Sequence, residues 1–336
     1  MIQHAIYSIP NRRTGYTTDD NARALIAAIM EFERTGSRHT LQLVSTYLSF
    51  LHYAQTPAGR FHNFMSFDQV WLDDQSSDDC FGRALWACGC ALSADLHPNI
   101  KKVAKQLFDA SLKWVPFIHS LRACAYISMG CYCYLRHEPD NSDVRGAFES
   151  MADAVCRDFR ANAREDWAWF EDILTYSNGM IPRFLFLAYQ ALDKREYLQV
   201  AAQSLEFLTS VCVVDGILQP VGCNGWYMRG QERAWFDQQP VDPMCHTLSY
   251  LAAYDATGDE KYLALARTCF DWFFGRNSVG EALYDPVTGG CFDALEPAGP
   301  NLNQGSESTI CCLLAQLSIQ PYLEKLPIRT SGDEAK

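Results

Sequence analysis

Two pairs of adjacent acids precede similar stretches of this sequence. Asp19 and Asp20 lie in TGYTTDDNARAL, and Asp78 and Asp79 lie in SSDDCFGRALWA. Aligned as D-x-x-x-R-A-L from Asp19 and Asp79, the segments carry Arg23-Ala24-Leu25 and Arg83-Ala84-Leu85, with the doublets one residue out of register. A third doublet, Glu171-Asp172, follows in WAWFEDIL. An acid at a helix start caps unpaired N–H groups and suits the helix dipole. Capping needs one such residue per helix, so doublets call for a further role. Paired carboxyls without a metal suit glycosidic-bond hydrolysis: one protonates the leaving oxygen while the other activates water or attacks the anomeric carbon. Burial among aromatic rings would raise one pKa and leave a better solvated partner ionised.

Further acids stand at the heads of other predicted helices, namely Asp237, Asp242 and Glu307. The candidate catalytic carboxylates are therefore Asp20, Asp79, Asp172, Asp237 and Glu307, with Asp19 expected to start its helix and Asp20 free to face a ligand. Five of the eight tryptophans, Trp71, Trp167, Trp169, Trp226 and Trp235, fall in loops among Gly, Asn and Asp. Such rings can stack on the C–H faces of a sugar or pack the loops on one another. The residues expected to grip a sugar are Arg23, Trp71, Trp169, Trp226, Gln239, Asp242 and His246. Paired histidine bases at inner helix starts would instead suit an epimerase or isomerase, and His119 and His246 are the two that qualify. No G-x-S-x-G, phosphate-binding or dinucleotide-binding pattern occurs.

Helical periodicity dominates the chain. Odd-numbered helices are expected to begin near residues 18, 79, 120, 172, 241 and 307, at steps averaging about 58 residues, a helical-hairpin repeat. The odd set is rich in apolar and small residues. The even set, such as IKKVAKQLFDASLKW, is amphipathic with a charged face. Closing the hairpins in a ring buries the odd helices, so the expected class is all-α, an (α/α)6 toroid with long loops on one face. All six inner helices would then start at that face and bring their acids to one mouth. Gly179 and Pro182 should weaken or kink the seventh helix. A twelfth helix is expected in a preceding segment or in QPYLEKL. One domain spans 1–328, and 329–336 reads as a disordered tail.

The 336 residues are 48% hydrophobic with a net charge of −12 and no basic cluster, which argues against a nucleic-acid or anionic-membrane surface. No apolar run approaches the roughly 18 residues of a membrane span, and no leader pattern opens the chain. The 14 cysteines contain no C-x-x-C and sit in apolar helical stretches such as ALWACGCALS, where they read as small buried hydrophobes in a reducing cytoplasm. The histidines lack zinc-site spacing, so neither metal nor cofactor is expected.

TGDEKYLALARTCFDWFFGRN resembles outer-helix segments of the six-hairpin glycosidase superfamily. HAIYSIPNRRTGYTTDDNARAL, WFEDILTYSNGMIPR, FDQQPVD and GPNLNQGSEST are similar to a bacterial group whose members occur alone or fused behind glycosyltransferase domains. That resemblance implies a carbohydrate substrate and a glycosyltransferase domain as a partner. The superfamily holds hydrolases, phosphorylases, lyases and epimerases, and fold does not choose among them. The expected activity is glycoside hydrolysis. The alternatives are epimerisation, isomerisation or phosphorolysis on the same ring, and a non-catalytic glycan-binding module. The last gains if the mouth acids are paired with arginine.

Overall fold

A computed structural model describes residues 1–324. Eleven α-helices occur among them: α1 (Thr18–Thr35), α2 (Arg38–Ala54), α3 (Asp78–Ser93), α4 (Pro98–Leu112), α5 (Leu121–His137), α6 (Ser142–Asn162), α7 (Met180–Leu192), α8 (Arg195–Cys212), α9 (Val241–Thr257), α10 (Glu260–Asp271) and α11 (Ser306–Leu323). The odd helices pack in succession, α1 on α3, α3 on α5 and so on to α11, and α11 packs back on α1. This closes an inner ring. Each even helix packs outside the odd helix before it. The architecture is the (α/α)6 toroid.

Local chemistry sets the helix ends. Thr17 caps α1 by accepting from the Asp20 N–H at 3.1 Å, and Ser77 and Ser120 cap α3 and α5 in the same way. Gly36 and Gly258 end α1 and α9 in the left-handed conformation, at φ 64° and 71°. Ten two- or three-residue strands form small antiparallel pairs within the loops. The N-terminal segment is tied across the α1–α11 seam: Gln304 N–H donates to Tyr7 O, and Ser306 N–H to Gln3 O, both at 2.9 Å.

Two expectations are corrected. The seventh helix begins at Met180, well after residue 172, because residues 173–174 pair as a strand and a tight turn with Ser177 at φ 51° follows. Pro182 therefore falls in the first turn of α7, where its missing N–H has no intrahelical partner to lose. Gln320 to Leu323 of QPYLEKL continue α11 and form no twelfth helix. The expected tail, 329–336, lies outside the described residues.

Glycines let α3 and α5 approach each other closely. A Cβ on Gly130 would stand 2.5 Å from Leu85 O, and one on Gly89 would stand 2.3 Å from Gly130 O. Both obstacles are backbone, so a helix must move. Gly130→Ala is expected to lower stability by about 1–3 kcal/mol despite the better helix propensity of alanine, read as the midpoint of urea unfolding.

Candidate active site

Five of the six inner helices place a charged residue second, α7 with Ile181 being the exception. The second residue is Asp19 in α1, Asp79 in α3, Asp242 in α9 and Glu307 in α11, with Arg122 in the same place in α5. Four carboxylates therefore sit at positive helix ends on one face of the ring. Two adjoining cavities open there, of about 290 and 480 Å³. Asp19, Arg23, His4 and Asp293 line the smaller; Asp79, Arg83, Tyr176 and Trp226 line the larger; Gln239 and Glu307 border both.

Two buried arginines connect the acids, which is the pairing that favours the non-catalytic glycan-binding alternative. Arg23 Nη1 donates to Glu307 Oε2 at 2.7 Å, and its Nη2 lies 2.9 Å from Asp20 and 3.5 Å from Asp19. Arg83 Nη1 donates to Asp19 at 2.7 Å, and its Nη2 stands 3.9 Å from Asp79 Oδ2. Both pairs along α1 and α3 are i,i+4, which is the D-x-x-x-R spacing of the sequence. Tyr176 donates to Asp79 Oδ2 at 2.6 Å, and Ser120 to its Oδ1 at 3.3 Å. Glu307 keeps nearly half of its side chain exposed, at 47%, against 2% for Arg23. Desolvation pushes the Glu307 carboxyl up, but Arg23 and Arg83 outweigh it and hold the group below the usual carboxylate range.

Both acids of the first doublet line the smaller cavity, and several other expected site residues lie elsewhere. Asp20, the third residue of α1, is 3% exposed and accepts from Thr17 and from Ser306 at 2.6 Å, while Asp19 spans two arginines. Burial raises the Asp20 carboxyl, against the pull of Arg23. Asp172 is 73% exposed beside Arg229, just ahead of the strand at Ile173–Leu174, and lines neither cavity. Asp237 accepts from Cys223 Sγ at 3.5 Å and lines neither cavity. Trp169 is fully buried against Phe170 and Phe207, and Trp71 stacks on His62 at 4.9 Å, so neither ring reaches the cavities. Trp226 does reach the larger one, at φ 59° and 6.2 Å from Tyr176. Arg23 lines the smaller cavity, where its guanidinium is committed to Asp19, Asp20 and Glu307. Gln239 borders both cavities and donates to Cys223 Sγ.

The two histidines of the epimerase alternative are apart. His119 is exposed beside a groove formed with α6. His246 is buried, its Nδ1 against Asp242 O at 2.8 Å, and desolvation lowers its pKa to about 4. Its ring is therefore neutral at physiological pH and lines neither cavity. The residues that sequence reasoning passed over are Tyr176, His4, Asp293 and Arg83 as a site residue. The D-x-x-x-R match held the signal for Arg83; Tyr176 had none, since the loop was read as helix.

Asp242 is 2% exposed, and burial pushes its pKa to about 7 although the backbone N–H groups of Ser177 and Asn178 pull it down. Its folded-state pKa exceeds the unfolded value, so between about pH 4 and 7 the folded protein holds a proton the unfolded chain has lost. Stability from this group is complete at low pH and declines as pH rises through 7. Asp242→Asn removes the titration. The difference in unfolding free energy between variant and wild type should then grow in the variant's favour across that window, by at most about 1.4 kcal/mol per pH unit. Urea titrations at pH 4, 5.5 and 7 check this; a flat difference would refute it.

Among the described residues no cluster of three or more His, Cys, Asp or Glu is arranged to hold a metal ion, and no helix is long and apolar enough to cross a membrane. No family model matches the chain and no curated protein matches it. Solved structures do. A sugar epimerase from a ruminal bacterium superposes with a TM-score of 0.76 at 12% identity, covering 98% of this chain and 93% of that one. Cellobiose 2-epimerase from Bacillus thermoamylovorans gives 0.75 at 13% identity, over 96% and 92%. An alpha-1,6-mannanase of Salegentibacter sp. gives 0.59 at 11% identity, over 95% of each chain; it is an inactive variant with two adjacent aspartates changed to asparagine, bound to alpha-1,6-mannotriose. At these identities the likeness establishes the fold.

Proposed function

We propose that the protein is a carbohydrate-processing enzyme that hydrolyses a glycosidic bond in the cavity between Asp79 and Glu307. The observation that carries this reading is that these two carboxylates, from the starts of α3 and α11, line one cavity with the Trp226 ring. Glu307, held ionised by Arg23 and Arg83, takes the role of base or nucleophile. Asp79 is assigned the acid role by partition, as the other carboxylate lining that cavity, with Tyr176 donating to its Oδ2 and Ser120 to its Oδ1. Trp226 supplies the apolar platform for a sugar face. The adjacent-aspartate mannanase supports the reading only as precedent for carboxylate chemistry on this ring.

A second reading rests on His4, which lines the smaller cavity beside Glu307. An imidazole and a carboxylate on either side of a sugar carbon suit proton transfer, hence epimerisation. One experiment separates the two. The protein is incubated with mannosides, glucosides and uronides, and the products are followed by proton NMR. Hydrolysis releases new reducing ends, whereas epimerisation converts a reducing sugar without cleaving it. Cleavage that Glu307→Gln and Asp79→Asn abolish supports the first reading. Conversion without cleavage, lost in His4→Ala, overturns it.

A further inference from the structure

The face opposite the carboxylates has its own opening. A cavity of about 220 Å³ enters the ring there, lined from all six inner helices by residues that include Ile26, Trp86, Met129, Arg183, Leu248 and Leu314. Two cysteines border it, Cys90 of α3 and Cys133 of α5. Both are partly exposed, whereas eleven of the other twelve cysteines are buried. Their sulfurs lie 3.7 Å apart, on the two helices that Gly89 and Gly130 bring close together. Contact between thiols on rigid, close-packed helices leaves little movement before a bond can form.

The surroundings favour a thiolate. Arg183 and Arg136 line the same cavity. The Arg183 guanidinium lies over Trp86 at 5.2 Å and reaches the Met129 sulfur, and the ionisable groups nearest it are thiols and a phenol. Glu33 lines the same cavity, but no ion pair joins a carboxylate to Arg183 among the described residues, and Cys133 is the foremost anionic group acting on it. Either thiol can donate across the contact. With Cys90 as the donor, that bond together with Arg183 and Arg136 holds the Cys133 thiol below its usual range, and the same bond with burial pushes Cys90 well above it. The glycosidic site uses none of these groups.

We propose that Cys133 and Cys90 form a peroxide-reactive dithiol site, in which Cys133 is attacked first and Cys90 resolves it. The Cys133 thiolate attacks a hydroperoxide: the S–O bond forms as the O–O bond breaks, and the departing alkoxide or hydroxide takes a proton to leave as alcohol or water. Cys90 then attacks the sulfenic sulfur, the S–S bond forms, and hydroxide leaves with the Cys90 proton as water. Two thiols are oxidised by two electrons and one peroxide is reduced. The product ties α3 to α5 at the end remote from Asp79.

The test treats the folded wild-type protein with one equivalent of hydrogen peroxide, alkylates the remaining thiols and maps peptides without reduction. The expected result is a single cross-link joining Cys90 and Cys133. With Cys90→Ser, dimedone should trap a sulfenic acid at Cys133; with Cys133→Ser, neither adduct nor cross-link should form. Arg183→Met should slow the reaction about tenfold. A cross-link at another pair, or Cys133 reacting no faster than the buried cysteines, overturns the proposal. Should a serine variant fail to fold, the wild-type peptide map decides alone.

Discussion

Glu307→Gln should lower glycosidic cleavage by at least about 10³-fold while leaving the ring folded. A positioned acid or base typically contributes 10²–10⁴ in rate, and the loss of an ionised carboxylate that meets the substrate lies toward the upper end. Glutamine keeps an oxygen where Arg23 Nη1 now donates at 2.7 Å. Arg23 also keeps its bonds to Asp20 and Asp19, so its charge stays compensated. The melting temperature is therefore expected to move by a few degrees at most, about 1 kcal/mol or less. Asp79→Asn should behave alike in rate and keep the fold, because the amide oxygen can still accept the 2.6 Å bond from Tyr176 while the amide nitrogen takes the place of the oxygen that accepts the longer bond from Ser120. Turnover on an identified substrate, with thermal unfolding beside it, checks both. Wild-type turnover in either variant, with its melting temperature kept, removes that residue from the mechanism.

The ring itself was legible because its helices are long and strongly periodic, and because small inner and charged outer faces differ in composition. What failed was local. A seventh helix from residue 172 follows from the apolar and aromatic residues that ILTYSNGM shares with the helical run after it, and periodicity cannot separate a strand and tight turn from a helical run. That error placed Asp172 at a mouth it does not reach and hid Tyr176. The Asp19–Asp20 pair was read by adjacency, whereas helix geometry reads it by position. One residue is 100° of rotation on a helix, which puts Asp20 beneath the cap with Ser306 and turns Asp19 toward Arg83. Aligning both segments on D-x-x-x-R already equates Asp19 with Asp79, so this much was available without coordinates. The tryptophans were less tractable. Trp169 and Trp226 lie in loops of similar composition, and only the loop path decides that one is fully buried against Phe170 and the other borders a cavity.

Arg23→Met should cost the most stability of any single change at this face, about 3–5 kcal/mol at pH 8. The guanidinium is 2% exposed and binds Asp20 from its own helix and Glu307 from α11, so it holds the seam where the ring closes. Methionine fills much of the volume but leaves Asp20 buried with hydroxyl donors alone, from Thr17 and Ser306. Lysine keeps the charge without the planar fork that serves both helices at once, so Arg23→Lys should fall between. The loss depends on pH with a defined sign. Removing the arginine raises the carboxyl of Glu307, now held low, and raises Asp20 further. In the variant these groups take up protons in the folded state as pH falls, which recovers stability, so the deficit against wild type should be smaller at pH 5 than at pH 8. Adding Asp20→Asn to Arg23→Met removes the stranded charge and should restore part of the loss at pH 8. Urea unfolding of the four proteins at both pH values tests this. An Arg23→Met deficit that is equal at both pH values and untouched by Asp20→Asn would mean that packing, and not charge compensation, is what Arg23 contributes to the closed ring.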